Sequence, residues 1–492
     1  MKKVVLLCVL LFGLFSHAEV IVSSGFKKSL GAWNGAKYWG GKVSCKDGCM
    51  IMESTFARKK FWARVRNTRL KPRYELPGRY YKITVTAKGD GELYPGFLVY
   101  LPGKKINYVF QKPETAFNLT AKYAKYSYTV KLDDVVPKGI TPIIDLYGEN
   151  AVAYIRNVRV ERLENKDLSV TDLSGMTIVP AGEEAPAKKF KFSQADTAVK
   201  TVVYPFKKGE NAVFAEVKSG TDGMVTVPVN GKITGLNKVV AFKNGCAVTS
   251  CVLGMPREIF AELDDLAKKV KAGEAMSILY IGDSLNDFDR TYNAVDQLEF
   301  FLNKYNPGKF KIYNYSVAGD FITRVLDRFS GKRKWDVRYD GIFDRKYDLV
   351  LISLGNNDTR SLSSSDYKKP LVPVEKIKPE FEKVIAIIRE QSNAPVWVLS
   401  ASCSDTKLME EKSNKRTAAG GVGVRFGIVE HAENFNKELK TLAENGENIR
   451  YVDIYTPMKE VFSADNYADG VHLSLKGHTF FAKLLLKAFA EK

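Results

Sequence analysis

Apolar and polar residues alternate with a period of two in short runs over residues 19–163. Tyr80–Thr86, Gly96–Tyr100, Tyr126–Val130, Pro142–Tyr147 and Ala153–Val160 are such runs, separated by Gly, Pro and Asp turns. No helical period competes with them, so the segment is predicted to be an antiparallel β-sandwich of the jelly-roll kind. Residues 164–255 keep a weaker β pattern, with strand-like runs at Ala212–Val217 and Met224–Val229. They are expected to form a small β-rich module, with Val179–Pro186 as a linker or exposed loop. A helix at about Pro256–Lys271 then leads into a different regime. Continuous apolar, β-branched runs stand at Ser277–Ile281, Lys311–Tyr315, Leu349–Leu354, Val396–Leu399 and Tyr451–Ile454. Helical spacing fills the intervals at about 289–304, 374–391, 428–444 and 474–490. That alternation predicts an α/β domain over residues 256–492, with a five-stranded parallel sheet covered on both faces. In such a sheet ligands bind beyond the carboxyl ends of the strands.

The first eighteen residues stand apart. Met1-Lys2-Lys3 is followed by the apolar stretch Val4–Phe15 and by Ser16-His17-Ala18. A charged start, a short apolar segment and small residues describe a cleavable secretion signal, expected to be cut after Ala18. The stretch is too short for an ordinary membrane span, so no integral membrane segment is expected after cleavage. The protein is therefore expected to be secreted or periplasmic. Export makes Cys45/Cys49 and Cys246/Cys251 candidates for local disulfides. Zinc bound by these four is disfavoured by their spacing, and Cys403 is expected to be buried and inert.

The formal charge of the 492-residue chain is +19, and residues 19–163 supply most of it, with 26 Lys and Arg against 12 Asp and Glu. The same segment holds three of the five Trp and 12 of the 24 Tyr. Most of these rings are expected to fill the sandwich core. Arg58-Lys59-Lys60, with Trp62, Arg64, Arg66 and Arg69, is the densest basic aromatic run, and strand alternation puts Arg64 and Arg66 on one face. An anionic polysaccharide suits this surface better than nucleic acid does in an exported chain.

Chemistry gathers at the strand ends of the last segment. The first run leads into Gly282-Asp283-Ser284, the second into Ser316-Val317-Ala318-Gly319-Asp320 and the third into Gly355-Asn356-Asn357-Asp358; Asp469-Gly470-Val471-His472 stands before the last helix. In these four blocks, in this order, the sequence from residue 273 onward resembles the SGNH, or GDSL, hydrolase family. The resemblance implies a three-layer, flavodoxin-like α/β fold and acyl transfer through a serine. Ser284 would be the nucleophile, His472 its base and Asp469 the carboxylate that holds the imidazole. Ser284, Gly319 and Asn357 would supply the oxyanion hole. The residue chemistry agrees, since a serine hydroxyl needs a base to attack and the developing oxyanion needs donors held ready. Asp283 and Asp358 are expected to brace their turns, His478 to pack in the last helix and His431 to be solvated. No metal or organic cofactor is required. The glycine-rich stretch Gly420–Gly427 lacks the frame of a dinucleotide loop and reads as a loop.

The N-terminal segment resembles carbohydrate-binding jelly-roll modules, which implies Trp33, Trp39, Trp62, Arg64 and Arg66 as sugar contacts. The leading expectation is a secreted esterase that removes acyl groups, foremost acetyl, from a polysaccharide. The alternatives are a lipase, thioesterase or acyltransferase of the same fold, or a glycan-binding envelope protein with vestigial catalysis.

Overall fold

The structure is a computed structural model that describes residues 17–26, 29–30, 33–35, 41–54, 63–67, 78–101, 108–132, 137, 139–165, 167–205, 212–332 and 337–491. Contacts divide the chain into two compact units: one of Met1–Gly175 with Ala181–Gly254, and one of Met176–Pro180 with Met255–Lys492.

In the first unit, two antiparallel sheets of six strands each enclose one core. One sheet runs in the order Ala124–Lys131, Tyr80–Gly89, Val152–Glu164, Cys49–Ser54, Gly41–Lys46, and His17–Gly25 also pairs with Val152–Glu164. The other runs Trp33–Gly35, Ala63–Asn67, Gly139–Tyr147, Glu92–Tyr100, Tyr108–Gln111, and Phe117–Asn118 also pairs with Glu92–Tyr100. The alternation read from the sequence is the alternation of burial. Tyr81, Ile83, Val85 and Ala87 are sealed in the core, while Lys82, Thr84, Thr86 and Lys88 remain partly exposed. Leu93, Phe97, Val99, Ile144 and Leu146 of the second sheet join the same core, which makes the pair of sheets a sandwich.

Beyond it, Lys188–Phe192 pairs with Val170–Asp172 and Met224–Val227. Ala198–Pro205 lies between Val213–Lys218 and Leu236–Lys243, and the latter pairs with Cys246–Met255. Part of the stretch expected to be a linker is strand, because Glu183–Glu184 pairs with Lys232–Ile233.

Neither expected disulfide forms; all five cysteines among the described residues are free thiols. Cys45 and Cys49 flank the turn Asp47-Gly48, whose positive φ values of 50° and 74° suit a two-residue hairpin. Cys45 stands opposite Met50, so its neighbour Cys49 belongs to the other face of the sheet. Cys45 Sγ instead donates to the Phe26 carbonyl, and Cys49 Sγ contacts the Tyr123 hydroxyl. Cys246 and Cys251 lie in the same extended strand. Five residues of strand span about 17 Å, far beyond the reach of a disulfide. As expected, Cys403 is buried, which pushes its thiol up to about 12.

The second unit is built on a five-stranded parallel sheet. Its strands are β1 (Met276–Gly282), β2 (Phe310–Asn314), β3 (Leu349–Ser353), β4 (Val396–Leu399) and β5 (Ile449–Val452), in the order β2-β1-β3-β4-β5. The helices are α1 (Arg257–Lys269), α2 (Ser284–Asp287), α3 (Ala294–Lys304), α4 (Ile322–Phe329), α5 (Val374–Gln391), α6 (Thr406–Ala418), α7 (Val429–Asn445), α8 (Tyr455–Glu460) and α9 (Leu475–Ala490). Leu279, Ile281, Val350, Ile352, Val396 and Val398 face α4, α5 and α7 in one core, where Phe381 stacks edge-on with Phe435. On the opposite face, Trp397 of β4 packs against Phe489 of α9, and α9 packs on α1 and α3. The sheet is thus covered on both sides, the three-layer α/β architecture expected from the sequence. Four helices escaped the sequence reading, α2 and α8 being only four and six residues long. α6 buries only Met409 and Ser413, so it shows no apolar stripe, and α4 is just eight residues long.

Candidate active site

β1 ends at Gly282, where the chain turns at once into α2. A Cβ at Gly282 would lie 2.6 Å from the Ser316 hydroxyl oxygen, so the close approach of the segments after β1 and β2 requires glycine. Asp283 caps α2, its Oδ1 accepting from the Leu285 N–H at 2.9 Å. Ser284 therefore opens the helix beyond the carboxyl end of β1, largely buried.

Far along the chain, the loop between Asn466 and α9 is pinned by a bridge between Tyr467 and Leu473 and by the Ala468 N–H, which donates to the His472 carbonyl. Inside this loop Asp469 Oδ1 accepts from the His472 backbone N–H at 2.9 Å, and Asp469 Oδ2 lies 2.8 Å from His472 Nδ1. The carboxylate assigns the ring proton to Nδ1, which leaves Nε2 as an acceptor. Nε2 stands 3.0 Å from Ser284 Oγ, within hydrogen-bond reach of the hydroxyl. The Phe288 ring packs against the imidazole, with centroids 4.7 Å apart. Burial works against the charge of Asp469, but the hydrogen bonds and charge of His472, with the Val471 N–H, outweigh it. They hold the carboxyl well below the usual carboxylate range.

Two further segments approach α2. After β2, Gly319 has φ +81°, the left-handed region that favours glycine. The preceding N–H, of Ala318, donates to Asp287 Oδ2 at 2.8 Å and ties this turn to α2. After β3, Asn357 Nδ2 donates to Asp283 Oδ2 at 3.2 Å, while Asn357 Oδ1 accepts from Arg360 Nη1 at 3.2 Å. Asn356 is engaged elsewhere, with the Ser402 hydroxyl. The backbone N–H groups of Ser284 and Gly319 donate to no described residue. Asn357 spends one of its two amide hydrogens on Asp283, so three donors stand uncommitted among the described residues.

Asp283 and Asp358 brace this arrangement. Asp358 is buried and accepts from the Gly355 N–H at 2.9 Å and the Ile322 N–H at 2.8 Å. Burial pushes Asp283 up to about 7 against the Leu285 hydrogen bond, with the charges of Asp358 and Asp320 adding to the rise. Burial likewise pushes Asp358 up to about 7, against its backbone hydrogen bonds.

Ser284, Asp469 and His472 are thus brought together, with Asn357 joined to the residue before the serine. Of the other histidines, His478 is buried in α9, as expected. His431 is not solvated: it is buried at the start of α7, its Nδ1 3.0 Å from the Ser361 hydroxyl. A polar helical run concealed that His431 and Ala432 face inward. The sugar contacts expected in the first unit fare differently. Trp33 is 1% exposed, sits in the sandwich core and donates through Nε1 to Ser24, so it has no face for a sugar. Trp39 and Trp62 lie outside the described residues. Arg64 and Arg66 fall on the strand Ala63–Asn67, paired with Asp145 and Ile143. Among the described residues no cluster of side chains could hold a metal ion, and no helix is long and apolar enough to cross a membrane.

The sequence reading missed the arginines that touch the site. Arg360 reaches Asn357, and Arg324 Nη1 donates to the Gly319 carbonyl at 2.8 Å. Their closeness in sequence to the two blocks was a signal, but 75 Lys and Arg in the chain drown any single one.

Comparison with known proteins gives the site its relatives. Residues 278–485 match the family model of the GDSL-like lipase/acylhydrolases. No curated protein matches the chain. Among solved structures, the psychrotrophic esterase EstA from Pseudoalteromonas sp. is similar over 42% of this chain and 93% of its own, at 15% identity and a TM-score of 0.29. The CBM22-1 xylan-binding domain of Xyn10C from Paenibacillus barcinonensis covers 30% of this chain and 95% of its own, at 14% identity and a TM-score of 0.23. A Bacillus subtilis protein is similar over 92% of this chain and 88% of its own, at 12% identity and a TM-score of 0.29.

Proposed function

We propose that the GDSL-type lipase/acylhydrolase domain of residues 278–485 works as a serine esterase, and that the chain is exported to remove acetyl groups from a polysaccharide. The observation that carries the reading is the unbroken relay from Asp469 through His472 to Ser284, with contacts of 2.8 and 3.0 Å.

His472 Nε2 takes the Ser284 proton as Oγ attacks the ester carbonyl. The carbonyl oxygen becomes an oxyanion and accepts hydrogen bonds from the Ser284 and Gly319 N–H groups and the Asn357 amide. Asp469 keeps the imidazole in the right tautomer and stabilises the imidazolium. Collapse of the tetrahedral intermediate expels the sugar alcohol, which takes the proton from His472, and leaves an acyl-enzyme. A water then gives a proton to His472 and attacks the acyl carbon. Collapse of the second intermediate returns that proton to Ser284 and releases the carboxylic acid.

The polysaccharide rests on the charge of residues 19–163, where 26 basic residues face 12 acidic ones, joined to the aromatic content of the same segment. Trp39, Trp62, Arg64 and Arg66 are its proposed contacts. Export rests on the pattern of residues 1–18; cleavage after Ala18 leaves the strand His17–Gly25 from Glu19 onward.

The decisive experiment measures acetate release from acetylated polysaccharides by the wild type and by Ser284→Ala, together with covalent labelling by a fluorophosphonate. Acetate release and a label on Ser284, both lost in the variant, are the expected results. Release undiminished in S284A overturns the nucleophile, and a folded protein that neither labels nor hydrolyses overturns the esterase.

A further inference from the structure

The sandwich sheet that contains Tyr80–Gly89 turns one face to the core and the other outward, and the outward face is basic. Val43, Cys45, Ala87, Tyr126 and Val130 pack in the core. Strand parity therefore sends Lys42, Lys46, Lys88, Lys125 and Lys131 to the other side. On Val152–Glu164 the register shifts between Ile155 and Asn157, a bulge that leaves Arg156 and Asn157 both exposed. None of these six cations makes an ion pair with a described residue. Two carboxylates stand on the same face: Glu161, held by Arg159 at 2.8 Å, and Glu53, opposite Lys42.

At one end of the face the cations are held by rings. The Arg156 guanidinium carbon lies 4.1 Å from the Tyr123 ring centroid, and Lys88 Nζ lies 5.1 Å from the same centroid and 5.7 Å from that of Tyr154. Tyr123 is anchored in turn by Cys49, whose Sγ is 3.1 Å from its hydroxyl. Rings position a cation without neutralising it, so the face keeps a charge that complements a polyanion.

The spacing of the cations selects the polyanion. Lys125 and Asn157 both stand opposite Thr86, so Lys125 and the Arg156 bulge are two strand spacings apart, about 10 Å. That suits a polymer with one charge per sugar better than a nucleic-acid duplex, with one per about 1.7 Å. The Tyr123 ring, engaged by two cations, offers no platform for a stacked base. Tyr154, 38% exposed, is the one large hydrophobic side chain well exposed among the described residues of this face, too little to enter a lipid surface. We propose that this face binds a polyuronate, a linear polysaccharide with one carboxylate on each sugar. The proposal rests on the polysaccharide reading above, but it places contacts on the sheet opposite the strand of Arg64 and Arg66 and uses no catalytic residue.

The test measures binding of the full wild-type chain, at low ionic strength, to polygalacturonate and to the same polymer with its carboxylates reduced to alcohols. Neither polymer carries an ester, so hydrolysis does not intervene. Duplex DNA and phosphatidylglycerol vesicles are the competing occupants. Polygalacturonate is expected to bind at least about tenfold more tightly than its reduced form, and more tightly than DNA or vesicles. Sodium chloride near 1 M, where screening acts within about 3 Å, should remove most of that binding. The triple variant K88Q/K125Q/R156Q is expected to lose about tenfold or more in affinity. K407Q/K415Q/K440Q removes the same charge from exposed lysines of α6 and α7 and should lose far less. In the wild type, polygalacturonate should shield Lys88 and Lys125 from acylation, read by mass spectrometry, and leave Lys407 and Lys440 reactive.

Equal losses in the two triple variants, or Lys88 and Lys125 left unshielded by bound polymer, overturn this face. So does binding that R64Q/R66Q weakens and K88Q/K125Q/R156Q does not. DNA or vesicles bound as tightly as polygalacturonate overturn the choice of occupant, and equal binding of the reduced polymer overturns the role of charge. No binding to either polymer overturns the polysaccharide reading together with this face. Acetate release is measured separately, so failure of the esterase leaves the binding result standing. The shielding measurement needs no variant, so misfolding of one does not blunt the test.

Discussion

The two units differ in where their polar chemistry can stand. In the parallel sheet all strands run the same way, so the residues just past β1, β2 and β3 arrive at one edge. Asp283 and Ser284, Gly319, and Asn357 each follow a strand end, and hydrogen bonds from Ala318 to Asp287 and from Asn357 to Asp283 knit them together. In the sandwich, successive antiparallel strands end at opposite edges, and the fate of a side chain depends on its parity along the strand. Tyr81 is sealed in the core while Lys82 beside it is partly exposed. Position relative to a strand end therefore announces chemistry in the first architecture. In the second, residue type announces nothing until the inward face is known.

The largest expected effects test the strand-end side of this contrast. Ser284→Ala and His472→Ala should each lower kcat on 4-nitrophenyl acetate by roughly 10⁴-fold or more, with the thermal midpoint nearly unchanged. A loss below tenfold would break the link between strand-end position and chemistry. Asn357→Ala should cost on the order of 10²–10³ in kcat if its amide serves the oxyanion. A normal kcat would reduce Asn357 to a brace for Asp283.

On the sandwich side, Trp33→Ala should lower unfolding free energy by about 3–5 kcal/mol, as for other buried aromatic residues, measured by urea denaturation. A small loss of stability with a large loss of polysaccharide retention would restore Trp33 as a sugar contact. Its role was illegible because Trp33–Gly35 is a three-residue strand, too short to show parity. The catalytic blocks were legible because each joins an apolar run to a short turn. His431 and α6 were not, since α6 has no apolar stripe and His431 is buried by a partner, Ser361, seventy residues away in the chain. Arg324 and Arg360 became meaningful only through the carbonyl and amide oxygens they reach, which no residue pattern encodes.

Smaller effects come from two carboxyls of the site with opposite linkage. Asp469 is held below the usual range, so its contribution to stability is present above about 4 and lost as pH falls through its folded value. Asp283 is pushed up to about 7 from an ordinary 3.8, so the folded chain keeps a proton that the unfolded chain has released. Its contribution is fully present below pH about 4 and is lost as pH rises through about 7. The thermal midpoint of the wild type relative to Asp283→Asn should therefore fall as pH rises from 4 to 7. A difference that stays constant or grows would contradict the burial that sets this pKa.

The smallest expected effect is none at all, and it bears on the sandwich side of the contrast. Export favours disulfides, and close cysteine pairs in sequence invite them. In a strand, however, closeness in sequence does not bring thiols together. Cys246 and Cys251 are separated along one strand, and Cys45 and Cys49 belong to opposite faces of one hairpin. Cys49 and Cys251 are buried besides, and bridging Cys45 to Cys49 would require a register shift that turns core residues such as Met50 and Met52 outward. Dithiothreitol should therefore leave the thermal midpoint unchanged, and alkylation of the unfolded, unreduced protein should modify each of Cys45, Cys49, Cys246, Cys251 and Cys403. A midpoint that drops on reduction would mean that the hairpin register differs from the one described. The burial parity that separates Trp33 from a sugar-facing residue would then have to be redrawn as well.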